Sequence, residues 1–160
     1  MSVDTRPPTR VIRHRSFVAA LLLGIGLMAA VDEIVFHQLL QWHHFFDRAT
    51  PDIGLLSDGL LHAGELLALA AGVFLLLDAQ RRGEFSPRVA VSGLLVGLGA
   101  FQLWDGIIDH KVLRVHQIRY GVDILPYDIL WNATGAVLLL AGIAVGLTAR
   151  RRGTAPREPR

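Results

Sequence analysis

Residues 17–44 read FVAALLLGIGLMAAVDEIVFHQLLQWHH, an apolar run that closes on two acids and three histidines. Crossing the roughly 30 Å hydrocarbon core of a bilayer takes about 20 apolar residues, and 17–40 supplies them. A charge near the bilayer centre costs about 3 kcal/mol or more, so ionisable groups there turn to other helices and mark a working site. The stretch predicts a transmembrane helix with a polar site, Val31 to His44, at its outer end.

Three further runs of similar character, about 59–77, 89–108 and 124–148, extend the pattern along the 160 residues. Apolar residues make up 52% of the chain and charged ones 19%, with a mean hydropathy of +0.42, which excludes an ordinary soluble domain. The expected fold is all-α: a polytopic membrane protein whose four transmembrane helices form two tandem hairpins in a bundle. The transmembrane domain is placed at 16–149, between basic tails at 1–15 and 150–160.

Twelve of the sixteen Lys and Arg residues fall in the two tails and the middle connection, and only Arg48, Lys111, Arg114 and Arg119 in the other two connections. This bias predicts that both termini are cytoplasmic. The head MSVDTRPPTRVIRHR is similar to a signal-peptide n-region, but no small-residue cleavage site follows, so it is expected to be retained.

The same distribution excludes nucleic acid as the partner: the arginines sit where topology and anionic headgroups place them, and no recognition motif accompanies them. The bilayer is the expected partner, with other membrane proteins or a second copy of the chain beside it. With no Cys there are no disulfides, thiolate metal sites or cysteine nucleophiles, and two Met residues disfavour a soft-ligand Cu(I) carrier.

Local signals place the elements. Ser16 is a candidate N-cap for the first helix, which is expected to run on through His37 to Trp42, with Trp42, Phe45 and Phe46 as an interfacial aromatic belt. Ser57 or Asp58 should cap the second helix. Pro87 precedes the third, which is expected to continue as an amphipathic piece over Lys111–Arg119, and Pro126 opens the fourth.

The hairpins also resemble each other. At an offset of 73 residues, Gly24, Gly26, Asp32, His37 and His43 fall on Gly97, Gly99, Asp105, His110 and His116 without a gap; at 70, Asp58, His62 and Gly72 fall on Asp128, Asn132 and Gly142. We read this as a tandem repeat, about 17–77 and 89–148, parallel about an axis along the membrane normal. Glu33, His44, His62 and Glu65 face Gly106, Gln117, Asn132 and Gly135, so the first half is the more elaborate.

Straight-helix arithmetic at 1.5 Å per residue puts Asp32, Asp105 and His62 at one depth, roughly 6–8 Å below the outer edge of the core, with His37, His110, Asp58 and Asp128 just above. His43, His44 and His116 fall at headgroup level. The candidate metal ligands are Asp32, His37, Asp58, His62, Asp105, Asp109, His110 and His116, with Glu33, His43, Asp128 and Asn132 supporting them.

Imidazoles and carboxylates are the donors that Zn, Fe, Mn or Cu(II) accept, and an Asp beside a ligating His is its usual orienting partner. A haem b held by His37 and His110 as axial ligands is the other version. Either would serve redox chemistry, metal handling or respiratory-complex assembly. Two alternatives remain: a membrane metallohydrolase with a Zn-bound water, and an interhelical hydrogen-bond network without metal. No HExxH motif occurs.

Asp32, His37-Gln38, Gln41-Trp42-His43-His44, Asp58-Gly59, His62, Phe101, Asp105-Gly106, Asp109-His110, His116 and Arg119 together resemble a family of small bacterial membrane proteins catalogued as a domain of unknown function (2243). The resemblance covers about Gly24 to Gly142. It implies a four-span protein of the bacterial inner membrane and lends no activity. The family pattern is expected to have Gly at Glu33 and a second His at Gln117, which implies that neither position is an essential ligand.

Overall fold

The computed structural model describes residues 11–153; most of the two basic tails, 1–10 and 154–160, lies outside the described residues. Every regular element among the described residues is helical. Four helices are long and apolar enough to cross a membrane: Arg15–Leu39, Pro51–Arg81, Pro87–Leu113 and Leu125–Ala149. We call the α-helical segments α1 (Arg15–Val31), α2 (Pro51–Arg81), α3 (Pro87–Leu103) and α4 (Leu125–Gly153).

Ends and starts differ from expectation in ways that matter for the site. The cap of α1 is His14, whose ring accepts from Ser16 N, while Ser16 is buried and bonds Glu84 O and Ser86 N of the connection before α3. Helix α2 starts at Pro51, so Asp58 lies in its interior and not at its N-cap. Proline at the first helical position needs no N–H partner, which is why the start falls there.

Helices α1 and α3 do not simply continue outward. Each widens into a π-helix, Asp32–Leu39 after α1 and Trp104–Leu113 after α3. Both stop at a left-handed residue, Gln41 at φ 52° and Arg114 at φ 53°. Trp42 N then closes on Phe36 O and Val115 N on Asp109 O, satisfying carbonyls that a fraying end would leave bare. The amphipathic helix expected over Lys111–Arg119 is therefore absent beyond Leu113: the chain turns back over the helix ends.

Packing runs α2, α1, α3, α4, with α1 and α3 in the middle, α2 against α1 and α4 against α3. The helices form a row and not a ring around a common core. Close approach of α1 and α3 depends on glycine. A Cβ on Gly24 would run into Leu94 O, one on Gly97 into Leu21 O and one on Gly93 into Phe17 O, all backbone atoms. Small residues that let backbones touch are the means by which membrane helices gain van der Waals contact, since lipid is as apolar as leucine.

The outer helices turn Leu55, Leu56, Leu60, Leu67 and Phe74 of α2, and Leu130, Val137 and Leu140 of α4, outward. Such exposed apolar faces suit a lipid solvent. The interior is correspondingly polar: the fully buried large side chains include His37, His116, Glu33 and Asp58. At the end of the bundle where α1 starts and α2 finishes, Arg15 pairs with Asp78 at 2.7 Å and Glu84 at 3.0 Å.

Candidate metal centre

The two π-segments bring the chemistry together. A π-turn carries more residues per turn than an α-turn, so Asp32 and His37, or Asp105 and His110, come to one face at a spacing of five. His37 Nε2 lies 3.6 Å from Asp32 Oδ2, and His110 Nε2 lies 3.3 Å from Asp105 Oδ2.

The reversals at Gln41 and Arg114 then fold His43 and His116 back between these pairs. Their rings stack at 4.7 Å with 4° between planes, and each is edge-on to the histidine of its own helix, His43 to His37 at 4.5 Å and His116 to His110 at 4.7 Å. His43 and His116, set beyond the helix ends by straight-helix arithmetic, are instead folded into the protein, 4% and 1% exposed. Straight-helix arithmetic failed because the chain reverses. The offset of 73 had already set His43 on His116, the one signal in the sequence that gives them equal standing.

An aromatic latch holds the first reversal. Trp42 packs on Phe36 at 5.2 Å and Tyr127 at 5.6 Å, with the Arg119 guanidinium 4.6 Å over the indole. Trp42 is therefore a packing anchor for the first reversal. Such cation–π contacts contribute about 0.5–1 kcal/mol or more as water is excluded.

Three of the four imidazoles have an acceptor at Nδ1, and the fourth, His110, has only a more distant carboxylate there. His43 Nδ1 donates to Ile118 O and His116 Nδ1 to Phe45 O, each at 2.9 Å, across the two reversals. His37 Nδ1 has Glu33 Oε2 at 2.8 Å and Asp58 Oδ1 at 3.1 Å, and His110 Nδ1 has Asp128 Oδ1 at 3.9 Å. A proton on Nδ1 leaves the lone pair on Nε2.

Those Nε2 atoms look inward at carboxylates. His37, His43 and His110 Nε2 and Asp105 Oδ2 are buried with no hydrogen-bond partner, and His116 Nε2 stands 3.2 Å from Asp105 Oδ1. A lone pair facing a carboxylate is repulsive unless a metal cation or a shared proton lies between them. Two donors bound at about 2.0–2.2 Å to one tetrahedral ion are themselves about 3.3 Å apart, the separation found here. The donor atoms of Asp32, His37 and His43, and those of His43, His110 and His116, lie within 4.8 Å of one another in each group.

His43 is neutral at physiological pH. Burial, then the neighbouring imidazoles of His116, His37 and His110, push it down to about 2. A neutral ring is the ligating form. Asp32, Glu33, Asp58, Glu65, Asp105, Asp109 and Asp128 are all buried, and among the described residues Lys111, paired with Asp128, is the one Lys or Arg that hydrogen-bonds any of them; a cation would balance those that are ionised. Uncompensated buried charge of one sign is destabilising.

The remaining expected ligands divide. Asp58 orients His37, binds His44 Nδ1 at 2.5 Å and accepts from Phe45 N at 2.7 Å, so it ties α2 to the first reversal. Glu33 joins His37 and Asp58 in a third group of converging donors and is bonded to Gln38, a more central position than a supporting role suggests. Asp109 is buried but belongs to none of these groups. Asn132 bonds Asp128 O of its own helix and packs against Gly106.

His62 is the clear departure. It was expected to point at the layer of Asp32 and Asp105; its side chain is 48% exposed, reaches Glu65 Oε1 at 2.6 Å, lines a pocket with Glu33 and Gln38, and belongs to none of the converging groups. His62→Ala should therefore leave metal content unchanged, measured as metal per protein after purification; a loss comparable to that of a central histidine would contradict this placement.

Haem does not fit between His37 and His110. The stacked rings of His43 and His116 occupy that space, with His37 to His116 and His43 to His110 centroids at 6.2 and 6.1 Å. No flat slot for a macrocycle separates the two proposed axial ligands.

The fold and this cluster define a polytopic helical membrane protein with a buried His/Asp group at one end of its spans. Residues 19–149 match the family described as "Predicted membrane protein (DUF2243)", and the chain belongs to that family. No curated protein and no solved structure matches it.

Proposed function

We propose that this protein is a membrane-embedded transition-metal protein whose two hairpins each supply two imidazoles and one carboxylate: Asp32, His37 and His43 from the first, Asp105, His110 and His116 from the second. The observation that carries the reading is that His37, His43 and His116 have Nδ1 at protein acceptors, while the Nε2 atoms of His37, His43 and His110 are buried without a partner beside Asp32 and Asp105. A 2-His-1-carboxylate set leaves coordination positions open for a substrate and suits Fe(II), with Zn and Mn as other fitting ions. Metal analysis of the detergent-purified protein should give two equivalents of such an ion per chain.

The hairpins serve as pseudo-symmetric halves in this reading. Support comes from matched contacts at one offset of 73: His43 to Ile118 O against His116 to Phe45 O, the φ values at Gln41 and Arg114, and the reciprocal approach of Gly24 and Gly97. Two equivalent half-sites across the α1–α3 seam follow.

The metal centre lies at the extracytoplasmic end of a bacterial inner-membrane protein, with both termini cytoplasmic, as the distribution of basic residues argues. The chain has no Cys, so a single Cys at exposed Ala49 reports the side directly. Labelling by an impermeant maleimide from outside intact cells is expected; labelling only in inverted vesicles would reverse the orientation.

A further inference from the structure

Beside the cluster, on the loop side, lies a polar cavity of about 470 Å³ lined by Asp47, Arg48, Lys111, Arg114 and Tyr120 and reaching His110 and His116 at its floor. Its wall is built rather than incidental. Arg48 donates to Arg114 O, and Arg114, held in the left-handed region at φ 53°, donates to Lys111 O. A non-glycine residue in that region costs about 1 kcal/mol or more, and the surroundings must hold it there.

Charges in the wall do not cancel. Lys111 is taken by Asp128, and the Asp47 carboxylate, which accepts from His44 N, offsets one arginine, so the wall keeps a net positive charge on Arg48 and Arg114, whose Nε–H groups alone are bonded among the described residues. His110, with a side chain 1% exposed, has neither ring nitrogen hydrogen-bonded. A basic mouth repels incoming cations and concentrates anions. It is thus not built as the way in for a free metal ion.

We propose that this vestibule binds a small oxyanion, a phosphate or carboxylate group, between Arg48 and Arg114, with one oxygen turned to the His110/His116 floor. The inference deepens the metal reading, since an oxyanion seated there reaches the open positions of an ion on Asp105, His110 and His116. Guanidinium favours the class because its fork of donors matches two oxygens of a carboxylate or phosphate. The anion group could be carried by a free metabolite or by a lipid headgroup; the recognition chemistry is the same.

Calorimetric titration of inorganic phosphate into the full chain, in nanodiscs of zwitterionic lipid, tests it in both the metal-loaded and the chelator-treated form. We expect saturable binding that Arg48→Gln and Arg114→Gln each weaken by about tenfold or more, the loss of one charge-assisted pair. Bound metal should be retained in both variants, which checks that they fold. Phosphate binding by the chelator-treated protein, in a chain that takes up no metal, would keep the oxyanion site and remove the metal reading. Repeating the titration with phosphatidylglycerol in the disc separates the sources: competition assigns the site to a headgroup, its absence to a free anion. No heat of binding in either form, or binding indifferent to both arginine variants, overturns the proposal.

Discussion

His43→Ala and His116→Ala, the two stacked histidines, should strip the metal as completely as His37→Ala or His110→Ala. Changing a group that only orients a ligand weakens metal sites about 10–100-fold, so removing one of three ligands should exceed about 100-fold. Asp58→Asn and Asp128→Asn, which touch the Nδ1 side of His37 and His110, should fall within that lower range. The measurement is metal per folded protein by mass spectrometry, with melting curves in detergent. Metal bound at 100 times its dissociation constant stabilises the fold by about 2.7 kcal/mol, so chelation of the wild type should visibly lower its melting temperature. Two results would sink the metal centre. One is wild-type protein whose melting is indifferent to added Zn, Fe, Mn and Cu(II). The other is a His43→Ala variant that keeps its full metal content, which would leave an interhelical hydrogen-bond network as the role of these groups.

The second large effect lies at the α1–α3 seam. Gly97→Leu should destabilise the protein by about 1–3 kcal/mol or more, the range for overpacked interiors, because the obstruction is the Leu21 carbonyl and not a side chain that can rotate away. The same substitution should reduce bound metal, since the half-sites sit on the two helices it forces apart. Gly64→Ala in α2 is the matched control: nothing lies within 4 Å of a Cβ there, so its effect should stay within about 1 kcal/mol and its metal content at the wild-type level. Equal melting temperatures for Gly97→Leu and wild type would show that the close crossing does not hold the helices together.

Four spans and the burial of Asp32, His37, Asp105 and His110 were legible because hydropathy and membrane cost act locally, although the second span begins at Pro51, well before the expected 59. An acid in an apolar run announces itself wherever it packs. The haem reading and the place of His62 were not legible in this way. Both depend on which side chains of separate elements meet, which hydropathy and local preference do not encode.

The sequence by itself determined an all-helical membrane chain, and it carried in the register of His43 and His116 the pairing that matters most at the site. Only the tertiary structure decided that these two rings turn back into the protein. Nothing in Gln41 or Arg114 as residue types announces a left-handed conformation, which ordinarily falls to glycine or asparagine. These residues are held there by what surrounds them: the Trp42 latch on Tyr127 and Arg119, and the crossed bonds of His43 to Ile118 and His116 to Phe45. Contacts between residues more than 70 positions apart, which no local preference encodes, set the geometry of the four imidazoles.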